Sequence, residues 1–269
     1  MEQKSNITRA ETAARVDVIK AMGESAAQSV KNNPDLARAF IEKIAGEEFF
    51  KLENKEKIVQ KTIEIVVDNP EKLQNEQTDE PLDPDWMNSF VAFSERASSD
   101  SLQTLWARVL SGEITQPGSY SLPTLRIISE IGLETAKLFE RYLDFSIGVD
   151  VIATSSDLKG HELMNFLELE NSGLVVQSAA GLGLNFNCDK NGQMRFSAGN
   201  FSLQLKGKEN QKFRIPIVKL SKSGIEIKSI IPSNNSYSGL KLVGDGIKSN
   251  FDAVSIHETA TGKLIKKIK

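Results

Sequence analysis

The sequence predicts an α+β protein: an N-terminal helical domain followed by a domain that combines one helix with antiparallel strands. Up to about residue 147, apolar residues recur every three or four positions, which is the period of amphipathic helices. After Gly148 this period changes, and Phe201, Leu203 and Leu205 alternate with polar residues as in a half-buried strand. The Asn191-Gly192 pair between two apolar segments further indicates a hairpin turn.

Length and composition bound the class of protein. A chain of 269 residues suggests about two domains. No apolar run approaches a membrane span and the first residues lack the apolar stretch of a secretory signal, so we expect a soluble cytoplasmic protein. With Cys188 as the single cysteine and His161 and His257 as the only histidines, one chain can form neither a disulfide framework nor a Cys/His zinc site. We predict no cofactor; carboxylate-held Mg²⁺ or Ca²⁺ stays open, but no motif points to it.

Four segments are predicted along the chain: amphipathic helices in 1–70, an acidic linker in 71–83, a helical module in 84–147 and the α+β domain in 148–269. The first segment divides into helices over 8–31, from Pro34 to Gly46, and over 47–68. These helices either pack on the central module or form an arm that binds a partner or a second copy. The sequence favours neither.

Charge is divided between the halves. Residues 1–150 hold 17 Lys and Arg against 26 Asp and Glu, whereas residues 151–269 hold 16 against 10. Such an asymmetry indicates solvated surfaces with some docking between the halves, or a basic partner-binding face on the second half. The acidic stretch from Asp68 to Asp85, which contains the linker and is interrupted by Pro70, Pro81 and Pro84, carries too little apolar surface to order itself. Its functional alternative is an acidic segment that docks on a basic surface.

The helical module contains both tryptophans. Trp86, Phe90, Phe93 and Ala97 form one apolar stripe in a helix that begins at Pro84. Trp106 lies on a second stripe, in a helix predicted to begin at a capping box of Asp100 with Gln103 and to end at Gly112. Core packing is the favoured interpretation of both tryptophans; base stacking or the lining of a ligand groove is the alternative. Trp106 is expected near Leu102, Leu110 and Phe90, so that Trp106→Ala should unfold or severely destabilise residues 84–145.

The C-terminal half resembles a winged-helix-like unit with an enlarged antiparallel β-wing. A helix over 161–170 is followed by a strand at 174–176, a long hairpin, a returning strand at 215–220, alternation at Ile225 and Ile227, and two strands around Ala260-Thr261-Gly262. If this domain binds nucleic acid, the cations of the wing would contact phosphates; they are Lys206, Lys208, Lys212 and Arg214. The helix opposes DNA binding, because it carries Glu162, Glu168 and Glu170 and no Lys or Arg.

No group of residues predicts a catalytic site. Gly181 and Gly183 are followed by a strand and lack the Lys-Ser/Thr of a phosphate loop, so they indicate a turn or bulge. His161 and His257 each adjoin a glutamate, but neighbours in sequence point apart and no nucleophile is marked. Cys188 lies in a polar turn without a basic neighbour closer than Lys190, which predicts a structurally incidental thiol.

The helical module resembles a family of uncharacterised bacterial proteins, domain of unknown function 2806. The matching residues are Trp86, Phe90, Ala97, Ser98, Asp100, Leu105, Trp106, Ala107, Leu110, Gly112, Glu113, Pro117, Gly118, Ser119, Ser121, Thr124 and Leu125. Later elements, Leu-Glu-Leu-Glu-Asn-Ser-Gly-Leu and Leu-Ser-Lys-Ser-Gly, are loosely similar to abortive-infection alpha-type proteins. The resemblance implies a bacterial cytoplasmic accessory protein of phage-defence or mobile-element neighbourhoods, and implies no catalytic residue.

Two hypotheses about function follow, with a third that has less support. The first is a non-enzymatic interaction or regulatory protein with a protein partner or a homo-oligomeric state. The second is a nucleic-acid-binding regulator that acts through the basic C-terminal half. The third is an enzyme with dispersed Asp and Glu metal ligands.

Overall fold

The computed structural model describes residues 20–21, 34–68, 82–155, 158–232 and 236–269. The predicted helix over 8–31 therefore lies outside the described residues except at Lys20 and Ala21, and the predicted acidic linker lies outside them except at Leu82 and Asp83. Helices come first and antiparallel sheets follow, so the α+β class is confirmed. Within the described residues, no helix combines the length and the apolar character that crossing a bilayer requires.

The described residues divide into two compact units. The first contains the described residues up to Asp68 together with Ser94–Ala107, and the second contains residues 82–93 together with Arg108–Lys269. The four predicted segments stay a prediction, because the compactness of a unit does not show which segment folds alone.

Helix α1 spans Pro34–Asp68 as one element of 35 residues. The predicted break at Gly46 is wrong, since a single glycine costs a helix interior only about 1 kcal/mol and no proline follows Pro34 within the helix. Its packed face is unusually polar. Asn54 and Thr62 are almost fully buried beside Ile58, and Asn54 Nδ2 donates to the Glu95 carbonyl at 3.0 Å.

Helices α2 (Pro84–Ser94) and α3 (Asp100–Thr115) begin where the sequence predicts. Asp83 starts α2 by accepting a hydrogen bond from the Asp85 amide at 2.8 Å. The predicted capping box at Asp100 is not formed, because Ser99 Oγ accepts from the Leu102 amide. Gln103 is instead buried, and its Nε2 donates to the Ala97 carbonyl.

The ends of both helices differ from the predictions. Ala97 is buried, but it lies beyond the end of α2, so it does not extend the α2 stripe. Helix α3 continues through Gly112 to Thr115. The burial of Trp86 and Trp106 is confirmed, at 5% and 2% exposure, whereas Leu102 is 40% exposed and so lies outside the core predicted around Trp106.

Next come α4 (Leu122–Glu130) and α5 (Leu133–Leu143), separated at Gly132 as the sequence predicts. Strand β1 (Val151–Ala153) precedes α6 (Gly160–Asn171), and β2 (Val175–Val176) follows it. Helix α6 and strand β2 confirm the predicted helix and strand of this region. A short 3₁₀ turn at Ser178–Ala180 leads into the remaining strands.

The remaining strands are β3 (Gly183–Asn187), β4 (Gln193–Ala198), β5 (Phe201–Lys206), β6 (Lys212–Leu220), β7 (Ala253–Glu258) and β8 (Leu264–Lys267). The first sheet has the order β1-β6-β2, and β3 also pairs with β6. The second sheet has the order β4-β5-β7-β8. Every pairing is antiparallel. The two predicted strands around residues 260–262 are confirmed as β7 and β8.

The hairpin predicted at Asn191-Gly192 is wrong in its strand pairing. The tight turn exists, since Gly192 has φ +70°, and Asp189 Oδ1 accepts from the amides of Asn191 and Gln193. However, β3 pairs with β6 and β4 pairs with β5. The turn is therefore the corner at which the chain passes from the first sheet to the second.

Two C-terminal helices were not predicted. Alternation at Ile225 and Ile227 indicated a strand, but α7 spans Lys222–Ile230 because Ser221 Oγ caps it, accepting from the Gly224 amide at 2.9 Å. Helix α8 spans Ser238–Ile247 and is followed by a 3₁₀ turn at Lys248–Asn250.

One apolar core lies between the inner faces of the two sheets and α8. Leu203 and Val254 of the second sheet and Ile215 of the first are almost fully buried in it. Phe213 and Phe251 pack edge to face, with ring centroids 5.2 Å apart.

Candidate functional site

Some of the residues that carry the family resemblance lie in or contact the loop between α3 and α4, here called the anchored loop (residues 116–121). Glu113, near the end of α3, is 4% exposed and accepts hydrogen bonds from the amides of Gly118 at 2.6 Å and Tyr120 at 3.0 Å. Both carboxylate oxygens of Glu113 are thereby occupied by the backbone of the loop.

A second buried carboxylate fixes the end of the anchored loop. Glu226 of α7 accepts from the Ser121 amide at 2.8 Å, from Ser121 Oγ at 3.0 Å and from Thr124 Oγ1 at 2.5 Å. These donors lie at the N-terminus of α4, where helix amides lack partners within the helix and favour a negative charge. Sequence reasoning missed Glu226, because 105 residues separate it from Ser121 and no local pattern joins them.

Aromatic packing completes the loop. Trp86 Nε1 donates to the Tyr120 carbonyl at 2.7 Å, and the Tyr120 ring covers Gly112 so closely that a Cβ there would lie 2.6 Å from the hydroxyl oxygen. Burial raises the pKa of the Tyr120 hydroxyl, which lies 3.5 Å from Ser229 Oγ. This hydroxyl stays neutral near pH 7. The anchored loop is thus held by two carboxylates outside it, Glu113 and Glu226, whose oxygens accept its hydrogen bonds.

An open cleft of about 740 Å³ lies beside α4. Phe93, Ile127 and Ile131 supply apolar surface, and Arg126, Thr135 and Asn171 supply polar groups. The Arg126 guanidinium lies 3.6 Å from the Glu130 carboxylate, and both side chains are mostly exposed. Ser89, Ser172 and Glu130 also line the cleft.

The outward side of α6, here called the α6 face, consists of His161, Met164, Glu168 and Asn171, all exposed. Met164 is 62% exposed. Glu168 accepts from Thr135 Oγ1 at 2.7 Å. On the same helix, Glu170 accepts from the amides of Gln177 and Ser178 and from Ser178 Oγ, and these bonds lower the pKa of its carboxyl.

The outer side of the second sheet is polar and basic. One row of cross-strand neighbours runs Arg195, Gln204, Ser255, Lys267 across β4, β5, β7 and β8. The next row contains Gln193, Lys206 and Ala253. Residues directly opposite one another in antiparallel pairs share a side of the sheet, so these three cations lie on one surface without a carboxylate in either row. We call these two rows the basic sheet face.

Of the four cations predicted to contact phosphates, three lie on strands and one lies in a turn. Lys206 belongs to the basic sheet face, and Lys208 lies in the turn after β5. Lys212 and Arg214 share the exposed side of β6, opposite Asn187 and Asn185. Arg214 donates to the Gly181 carbonyl, and its side chain crosses Gly183 so closely that a Cβ would overlap it. This contact gives Gly183 a structural role.

His257 contacts neighbouring protein groups, and Cys188 is buried. His257 lies with Nε2 2.9 Å from Ser255 Oγ and Nδ1 3.0 Å from the Gly262 carbonyl oxygen. Cys188 is 3% exposed, and burial raises the pKa of its thiol, which makes it unreactive at neutral pH. Across the described parts of the chain, no three His, Cys, Asp or Glu residues are grouped to hold a metal ion.

Comparison with known proteins gives one match. Neither the curated proteins nor the solved structures contain a match to the chain. Residues 49–155 match the family described as "Protein of unknown function (DUF2806)". That range contains Trp86, Gly112, Glu113 and the anchored loop, but not Glu226. This similarity to the DUF2806 family of proteins of unknown function covers 107 of the chain's 269 residues.

Proposed function

We propose that this chain is a non-enzymatic interaction or regulatory protein of the bacterial cytoplasm, which contacts a protein partner through the α6 face. The observation that carries the proposal is the composition of that face. Met164 is a large apolar side chain exposed by 62%, and around it lie His161, Glu168 and Asn171. An adaptable thioether surrounded by polar groups suits a protein surface, whereas glutamates oppose close approach to phosphates.

The proposal includes a winged-helix-like identity for the C-terminal half. Its support is the strand order β1-β6-β2, with α6 between β1 and β2 along the chain. The excursion through β3, β4 and β5 before β6 would be the enlarged wing. In a helix-turn-helix protein the second helix is the one presented to the ligand, and α6 holds the matching place.

The non-enzymatic part of the proposal rests on the hydrogen bonds that the buried carboxylates accept. Glu113 and Glu226 receive backbone amides and hydroxyls of the anchored loop, so neither is free to move a proton to a substrate. The raised pKa values of Tyr120 and Cys188 leave both groups protonated at neutral pH. The phage-defence or mobile-element setting implied by the family resemblance belongs to the same proposal.

The test compares two substitutions of exposed apolar residues. Met164→Lys alters the α6 face, and Val149→Lys is the matched control, since Val149 is 74% exposed in the loop before β1. Purified tagged proteins are used to capture partners from an extract of the source cell, with quantification by mass spectrometry. We expect a partner retained by the wild type and Val149→Lys and lost at least tenfold by Met164→Lys. Equal retention by both variants, or substrate turnover without any partner, would contradict the proposal.

A second candidate function, a nucleic-acid-binding regulator, is favoured by the basic sheet face. Arg195, Lys206 and Lys267 project from one surface, and none of them has an ion pair within the described ranges. Cations at strand spacing can follow a phosphate backbone, and each contacted phosphate releases counterions on binding.

This candidate is tested by the salt dependence of binding to single- and double-stranded oligonucleotides. Replacing Arg195, Lys206 and Lys267 with Gln should weaken binding and reduce the slope of log K against log salt by about 0.7–0.9 per lost contact. A second variant neutralises Lys208, Lys212 and Arg214, which tests the wing separately from the sheet. If both variants bind as tightly as the wild type, the basic half has no role in nucleic-acid binding.

A further inference from the structure

Helix α1 carries a heptad repeat on a side away from its packed face. The α1 stripe consists of residues separated by alternating steps of four and three: Ala45, Phe49, Leu52, Glu56, Val59, Ile63 and Val66. Six of the seven are apolar, and the repeat is sustained for three heptads. This spacing is the one that lets two helices pack knobs into holes along a shared seam.

The α1 stripe is open to solvent. Phe49 is 70% exposed, Leu52 51%, Val59 49% and Ile63 58%, and the adjacent Val67 is 68% exposed. The residues buried within the unit are Asn54, Ile58 and Thr62, which at 100° per residue are centred about 130° around the helix axis from the stripe. The packing of α1 in its own unit therefore leaves the stripe uncovered.

The stripe is comparable in size to the largest apolar patch of a typical monomer, which is often functional. These five side chains present on the order of 500 Å² of apolar surface, against a few hundred Å² for an ordinary patch. Two copies together would bury about 1,000 Å², the lower bound for a specific interface. The flanking charges need no external partner, since Glu53 pairs with Lys57 at 2.7 Å and Gln60 donates to Glu64 at 3.2 Å.

A helix that covers the whole α1 stripe must be as long as the stripe. Residues 45–67 extend about 35 Å along the axis. If the predicted helix over 8–31 folded back along α1, it would end beside about Val59 at the same rise per residue. Ile63, Val66 and Val67 would stay uncovered. A second α1 covers the whole stripe.

We propose that α1 pairs with α1 of a second copy of this chain, in antiparallel orientation, through the α1 stripe. Parallel pairing in register would set Glu56 against the same carboxylate of the other copy, which like-charge repulsion disfavours. Antiparallel pairing sets Glu56 against an apolar position and brings Leu52 of one copy beside Ile63 of the other. This surface is distinct from the α6 face, so the proposal stands or falls independently of the proposed function.

The test measures the mass of the full chain in solution by light scattering and native mass spectrometry. The wild type should have twice the chain mass of 29.7 kDa. Leu52→Lys with Ile63→Lys should give a monomer with unchanged helical circular dichroism. Phe50→Lys is the matched control, because Phe50 is 48% exposed on the same helix but lies outside the heptad register, and it should stay a dimer.

Orientation is read from disulfide formation between engineered cysteines. A mixture of Leu52→Cys and Ile63→Cys chains should cross-link at least fivefold more than either variant alone. Cross-linking within Leu52→Cys alone would overturn the antiparallel arrangement.

A wild-type monomer at all concentrations would overturn the self-pairing. If removing residues 1–33 then produced a dimer, the occupant would be the chain's own N-terminal segment. If the shortened chain stayed monomeric, the stripe would belong to another protein. A dimer that persists in Leu52→Lys with Ile63→Lys would place the interface elsewhere.

Discussion

Helix α1 and the second sheet distribute polar and apolar residues in opposite ways. Helix α1 buries Asn54 and Thr62 while it exposes Phe49 and Ile63, whereas β5 buries Leu203 and exposes Lys206. The sheet gains its stability from apolar surface removed from water. The packed face of α1 depends more on hydrogen bonds, each with a net contribution of only about 1 kcal/mol. We therefore expect the first unit to be the less stable of the two.

The largest expected effect tests that difference directly. Trp106→Ala should lower the free energy of unfolding by about 3–5 kcal/mol, a large share of an ordinary domain's ~5–15 kcal/mol. The matched variant is Leu203→Ala, which should cost about 2–5 kcal/mol in the sheet core. Hydrogen exchange should then show α1 and α3 opening first in Trp106→Ala, while β5 and β7 keep their protection. Global unfolding in a single step would contradict unequal stability.

Glu226→Ala removes the carboxylate that fixes the anchored loop. The Ser121 amide and the hydroxyls of Ser121 and Thr124 would lose their acceptor, so we expect a loss of about 2–3 kcal/mol in chemical denaturation. Glu226→Gln keeps one acceptor oxygen and should lose roughly half as much. If both variants were as stable as the wild type, the loop would be held by Glu113 and Trp86 alone.

Asn54→Ala examines the polar packing of α1. It leaves the Glu95 carbonyl without its donor and Gln103 Nε2 without one acceptor, which should cost about 1–2 kcal/mol in thermal denaturation. Asn54→Ala combined with Gln103→Leu should lose less than the sum of the single effects, because the two side chains share a hydrogen bond. Strict additivity would show that the bond contributes nothing.

The smallest effect is the pH dependence contributed by Glu170. The folded state lowers the pKa of this carboxyl, so its contribution is present above the unfolded-state pKa and is lost as pH falls through the folded-state pKa. The wild type should exceed Glu170→Gln by less than about 1 kcal/mol near neutral pH, because solvent screens the site. The difference should vanish on acidification. Glu140→Gln, an exposed position of α5, serves as the control for the loss of one surface carboxylate.

The sequence predicted the elements whose stability is local. Pro84 and Asp100 marked helix starts. The alternation at Phe201, Leu203 and Leu205 predicted which side of β5 faces the core. The sequence did not predict features that depend on contacts between residues far apart in the chain. Asn191-Gly192 indicated a turn correctly but could not show that β3 finds its partner in β6.

The site was less accessible to sequence reasoning than the fold. Glu113 stood among the residues of the family resemblance, yet its role depends on loop amides that only the folded backbone brings to it. Arg195 and Lys267 were overlooked because register across four strands sets them in one row. The helical steps of Leu240, Val243 and Ile247 were a readable signal for α8 that the sequence analysis missed.

The bond between Glu226 and the start of α4 has a consequence for the order of folding. During synthesis, Ser121 is added to the chain 105 residues before Glu226. The first turn of α4 is therefore uncapped by this carboxylate until the C-terminal half has been translated. A recombinant fragment cut at the limits of the family match, residues 49–155, would carry that defect permanently. The carboxylate that holds the start of α4 thus lies on a helix outside the residues that match the family.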